Sequence, residues 1–301
     1  MDWIIFGSII VTLIVLDLGV LNKRDHVMSL RQSLSLSLFY IIIACSFGIY
    51  IYYEMGADSA RDYFTGFLLE KAMSLDNIFV ISMIFSFFQI PAKYQHRVLF
   101  WGILGVIILR AIMIYAGASI LAKFDWVLFI FAAILIFTGI KTFYAVGQES
   151  IKIKDLYVYI LLKKKLNIYP KLKNNQFIVV ENSKIFVTPL FMALVTVEAM
   201  DIVFAIDSIP AIFAVTQDTY IVYTSNIFAI LGLRALFFCL ADIVERFKYI
   251  KYSLALILIL IGVKIFVVHF IKIPAYVPLI VTLLLLLSGV VASLIADKKE
   301  T

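Results

Sequence analysis

Two short acidic runs, EKAMSLDN from Glu70 and EAMDIVFAIDSIPA from Glu198, interrupt an otherwise apolar chain. They resemble copies of one another, because Glu70, Asp76 and Asn77 recur at the spacing of Asp201, Asp207 and Ser208. Both lie in apolar stretches long enough to cross a bilayer, where each carboxylate costs about 2.5–3.5 kcal/mol unless paired or solvated. Carboxylates kept at that cost point to ion binding or transport. Carboxylate, amide and hydroxyl oxygens suit a hard divalent cation such as Mg²⁺, Ca²⁺ or Mn²⁺, with Asn77 and Ser208 as neutral donors; Zn²⁺ or Cu⁺ would call for His or Cys. His26, His96 and His269 sit in loops or near a span end, and Cys45 and Cys239 sit apart from the acids. Buried carboxylates also carry protons, so coupling to a counter-moving H⁺ is chemically available. A purely structural alternative stands beside this one: Arg110 and Arg234 could each hold an aspartate in an interhelical ion pair, with Lys71, Lys141 and Lys264 completing the balance.

Helical geometry says which of these side chains can converge. At 100° per residue, Glu70 and Asn77 fall about 20° apart around the axis, as do Asp201 and Ser208. Asp76 and Asp207 are turned by about 120° from Glu70 and Asp201. Pro210 removes a backbone donor, which predicts a disturbance one turn earlier, around Ile206, that would turn Asp207 toward a shared cavity. Lys71 points about 100° away from Glu70 and is expected to pair elsewhere.

The elements that must carry these residues follow from composition. With 63% hydrophobic residues, 15% charged residues and a mean hydropathy of +1.04, the chain reads as an all-α polytopic membrane protein. Apolar windows predict nine spans near residues 2–21, 32–53, 63–88, 97–121, 125–146, 188–215, 221–243, 251–271 and 275–295. The first lacks a cationic leader and is followed by Lys23 and Arg24, so it reads as a retained anchor with the N-terminus outside. Loops then assigned to the cytoplasm, the C-terminus included, hold 18 Lys and Arg, against Arg61, Lys123 and Lys272 outside. The net charge of +6 is explained by anionic headgroups facing those loops, without a nucleic-acid partner. Residues 147–187 are polar and lysine-rich, with a short hairpin predicted around Asn182 and Ser183.

The likeness between the acidic runs extends further. GILGVIILRA at Gly102–Ala111 resembles AILGLRALFF at Ala229–Phe238, bringing Arg110 opposite Arg234, and TGIKTF at Thr138–Phe143 resembles IGVKIF at Ile261–Phe266, matching Lys141 with Lys264. A single membrane domain over residues 1–301 is therefore expected, with repeat one at about 63–146, a cytoplasmic loop at about 147–187 and repeat two at about 188–271. Helices 2–21, 32–53 and 275–295 flank the repeats. An offset of three spans inverts one triplet relative to the other, the arrangement of inverted-repeat transporters with a midplane site.

LDLGV at Leu16–Val20, EKAMSLDN at Glu70–Asn77, FTGIK at Phe137–Lys141, FAIDSIPAIFA at Phe204–Ala214 and YTSNIFAILGLRALFF at Tyr223–Phe238 resemble the TerC family of integral membrane proteins, which is similar to the LysE-type exporters. The resemblance implies export of Mn²⁺ as transported substrate, with Mg²⁺ or Ca²⁺ ranked below it, across a bacterial inner membrane and without an organic cofactor. It implies Asp76, Asn77, Asp201 and Asp207 as candidate ligands, supported by Glu70, Glu198 and Asp17. Asp17 and Asp242 lie near cytoplasmic span ends and read as guiding or merely interfacial charges. Two other roles are compatible with the resemblance: a membrane-protein assembly or metallation factor docking through the lysine-rich loop, and an exporter of cationic amino acids. No nucleophile elbow, zinc-binding His pair or phosphate loop suggests an enzyme.

Overall fold

The computed structural model describes residues 2–16, 30–124, 126–145, 157–173, 175–181, 184–240, 248–267 and 276–300. Each of the nine apolar segments falls on helix: α1 (Asp2–Leu16), α2 (Leu30–Met55), α3 (Ala57–Phe87), α4 (Ala92–Leu121), α5 (Val127–Ala145), then α7 (Pro189–Phe213), the pair α8 (Thr219–Leu231) and α9 (Leu233–Leu240), α10 (Lys248–Val267) and α11 (Tyr276–Glu300). Among the described residues, seven spans are long and apolar enough to cross a membrane. The other two segments are α1, with 15 described residues, and α3, which carries Glu70, Lys71 and Asp76. This is a multi-pass membrane protein.

Two expectations about helix continuity are corrected. α7 runs unbroken through Ile206 and Pro210, so no break turns Asp207 inward. The interruption falls instead in the seventh segment, where Gly232 separates α8 from α9. That segment is the buried centre of the bundle, with 83% of its apolar window covered, against 17% for α11 at the periphery. The link over residues 147–187 holds more structure than a hairpin: helix α6 (Tyr157–Lys165) precedes strands β1 (Ile178–Glu181) and β2 (Lys184–Val187). The strands pair antiparallel with Ile178 opposite Val187 and Glu181 opposite Lys184, as the pattern around Asn182 predicted.

Capping explains where the central helices begin. Thr188 accepts from the Phe191 amide, with Pro189 opening α7, and Asp218 accepts from the Tyr220 amide at 2.8 Å to open α8. An aromatic cluster of Phe6, Phe47, Tyr63, Tyr220 and Phe228 packs one end of the bundle, with the rings of Phe47 and Phe228 4.7 Å apart. At that end Tyr50 donates to Asp2 Oδ1 and Tyr220 to the Asp2 carbonyl. α3 begins there and α7 ends there: a Cβ on Gly66, early in α3, would lie 3.3 Å from Ile212, late in α7, so α3 and α7 run in opposite directions.

α5 and α10 make the closest helix pair, through a reciprocal glycine contact. A Cβ at Gly139 would lie 2.7 Å from the Ala255 carbonyl and 2.7 Å from Ile259, and one at Gly262 would lie 2.8 Å from the Ala132 carbonyl and 2.7 Å from Ile136. Each glycine therefore touches the residues seven and three positions before the other. Small residues allow such backbone approach within a bilayer.

Candidate functional site: a buried guanidinium between two carboxylates

α4 delivers Arg110, fully buried, into the centre of the bundle. Its Nε donates to Asp201 Oδ2 and its Nη2 to Asp201 Oδ1, both at 3.0 Å, a bidentate clamp onto α7. Its Nη1 lies 3.1 Å from Glu70 Oε1 on α3 and donates to Ser208 Oγ at 2.7 Å. Asn226 on α8 closes the ring, donating from Nδ2 to Glu70 Oε2 at 2.9 Å. Four helices thus converge on two carboxylates and one guanidinium. Asp201 and Ser208 act as a unit because seven residues bring them back to one face. Glu70 and Asp201, matched by the sequence likeness, flank the same cation.

Beside this ring lies a cavity of about 40 Å³ lined by Asn77, Asp201, Met200, Gly102, Val106 and Phe204, among others. That volume holds one or two waters. Asn77 is 5% exposed, and its Oδ1 has no hydrogen-bond partner. Glu198 buries both carboxylate oxygens without a partner, one turn from Asp201, where a Cβ on Gly105 would strike it. Oxygens left unsatisfied at membrane depth are costly.

The remaining candidates separate. Asp207 faces α5, accepts from Thr138 Oγ1 at 2.9 Å and lies within electrostatic reach of Lys141. It is not part of the Arg110 ring, because the 120° offset from Asp201 persists in the unbroken α7. Lys264 donates to the Ala214 carbonyl and interacts with Asp62. Lys71 turns from Glu70, as expected, and donates to the Ala229 carbonyl at 3.2 Å, at the C-terminal end of α8 where that helix's dipole favours a cation. Arg234 is buried on α9 at 2% exposure. Asp17, Asp242 and the side chain of Asp76 lie outside the described residues. Among the described residues, no three His, Cys, Asp or Glu side chains form a metal-holding group.

Sequence reasoning passed over Asn226, Thr138 and Asp62. The signal for Asn226 was present: Thr224, Ser225 and Asn226 are three consecutive polar residues inside an apolar segment, and all are fully buried. Replacing Asn226 with alanine strands Glu70 Oε2 and is expected to cost about 1–3 kcal/mol of stability, read as an earlier thermal unfolding transition in detergent.

This arrangement defines a multi-pass membrane protein with a charged core. The profile of the "Integral membrane protein TerC family" matches residues 55–301, and the chain belongs to that family. An uncharacterised membrane protein of Rickettsia felis is 65% identical over 98% of both chains, and another of Myxococcus xanthus is 45% identical over 98% of this chain and 92% of its own. An Escherichia coli K12 protein named as a candidate membrane-bound redox modulator, Alx, is 41% identical over 92% of this chain and 89% of its own. No solved structure matches the chain.

Proposed function

We propose that this TerC-family protein exports a divalent cation, Mn²⁺ ahead of Mg²⁺ and Ca²⁺, across the bacterial inner membrane by alternating access of two inverted three-helix repeats. The carrying observation is the ring around Arg110: oxygens of Glu70, Asp201 and Ser208 already surround one buried positive charge. On this reading the guanidinium neutralises the carboxylates while no ion is bound, and an arriving metal displaces it. Glu70, Asp201, Ser208 and the free Oδ1 of Asn77 then serve as oxygen donors. Asp207 with Thr138 and Lys141 is a second charged station, and Glu198 is the acid available to carry a proton. The opposite directions of α3 and α7 and the reciprocal contact of Gly139 and Gly262 support the inverted repeat. On this reading nine spans cross the membrane with the N-terminus outside and the C-terminus and lysine-rich link in the cytoplasm, a topology that the charge bias supports. No catalytic step or organic cofactor belongs to this account.

A second reading has one observation in its favour: a cage fitted to a guanidinium would also recognise arginine or lysine as substrate. The adjoining 40 Å³ cavity admits a metal ion and not an amino acid, which favours the first. In bacteria sensitised to Mn²⁺, expression of the chain should restore growth at toxic Mn²⁺, and Asp201→Asn should abolish the protection while the protein remains in the membrane. Protection unchanged by Asp201→Asn would remove that residue from the site. Protection from arginine analogues in place of Mn²⁺ would favour the amino-acid reading.

A further inference from the structure

We infer that the hairpin leading into α7 is a lipid-binding element, seating an aliphatic face among acyl chains beneath a collar of lysines that hold anionic headgroups. Directly paired strand residues share a face, so Ile178, Val180 and Ile185 project from one side of the ribbon. They are 52%, 68% and 65% exposed, large values for three adjacent aliphatic side chains. Val187, the fourth residue of that face, is buried where β2 meets α7, and on the opposite side Val179 is 3% exposed and Phe186 meets the ring of Tyr169 at 6.0 Å. The ribbon is anchored rather than free. Val187 donates to the Asn167 carbonyl and accepts from the Tyr169 amide, and the Glu181 carboxylate beside Tyr169 holds its phenol above the usual range. Phe177 lies under Arg97 of α4, and α6 reaches the bundle where Tyr159 packs on Phe87 and Phe88.

Two observations select lipid as the occupant. β2 runs into Thr188, the cap of apolar α7, without an intervening linker, so the ribbon sits at the end of a helix long enough to cross the membrane. The segment from residue 147 to 187 also holds eight lysines against Glu149, Asp155 and Glu181, a net +5 out of the chain's +6. Lys163, Lys164, Lys165, Lys171, Lys173 and Lys184 are all exposed. Aliphatic side chains flanked by lysines are what an anionic bilayer surface attracts.

The test labels a cysteine at Val180 with an environment-sensitive fluorophore, in a Cys45→Ala/Cys239→Ala background, in vesicles of brominated phosphatidylcholine with and without phosphatidylglycerol. Glu181→Cys, on the other face, is the control. Quenching at position 180 at least three times that at 181, and weakened when phosphatidylglycerol is omitted, is the expected result. Equal and weak quenching at both positions would overturn the inference. So would disulfide-linked dimers through an unlabelled Val180→Cys without quenching, which would identify a second copy of the chain as the occupant.

Discussion

Arg110→Ala is expected to destabilise the protein by about 3–5 kcal/mol, among the largest effects of any single substitution in the chain, because it strands two buried carboxylates in the bundle centre. Glu70 would lose its ion pair, and Asp201 would lose both of its charge-assisted hydrogen bonds. The test of the cause is a cycle. Adding Glu70→Gln and Asp201→Asn to Arg110→Ala removes the unpaired charges and should recover much of the loss, measured by thermal or denaturant unfolding in detergent. Simple additivity of the three substitutions would show that Arg110 acts through packing alone. Arg110→Lys should fall between wild type and alanine, since an ammonium supplies charge but not the planar fork that fits Asp201.

A leucine at Gly139 or Gly262 should cost about 3 kcal/mol, with the two positions agreeing closely, because each side chain would enter the same α5–α10 contact from opposite ends. The new Cβ alone would press on a backbone carbonyl, of Ala255 in one case and Ala132 in the other, and a carbonyl within a helix cannot move aside as a flexible side chain can. A large loss at one position and none at the other would refute the local two-fold relation between the helices. If transport survives the milder Gly139→Ala at reduced rate, the contact also serves as a surface on which the two halves move.

The order of helices was legible because a run of apolar residues must be covered along its whole length, and all nine predicted segments fall on helix. The pairing of Asp201 with Ser208 was legible for a similar reason: seven residues make nearly two turns. Long-range partners left less trace. Asn226 reaches Glu70 across 156 positions, and only its polarity in an apolar segment marked it. The break at Gly232 escaped because one residue out of helix does not change the hydropathy of a span. It is where Lys71 sits, since a Cβ there would come within 2.7 Å of its Nζ. Pro210 misled in the opposite direction. A missing donor removes one hydrogen bond to Ile206, and the surrounding helical turns of α7 hold their course without it. α6 was hidden among lysines that obscure its short apolar stretch.

The central claim is that a divalent cation crosses the membrane through the oxygens now held by Arg110. It is tested most directly by ion flux into proteoliposomes, comparing Mn²⁺, Mg²⁺, Ca²⁺ and lysine for wild type, Asp201→Asn and Asp207→Asn, with folding confirmed for each. The account predicts Mn²⁺ flux above that of the other ions and of lysine, abolished by Asp201→Asn and reduced by Asp207→Asn. Folded wild-type protein that moves none of them would contradict it, leaving Glu70, Arg110 and Asp201 as a structural ion triad at the heart of a membrane assembly factor.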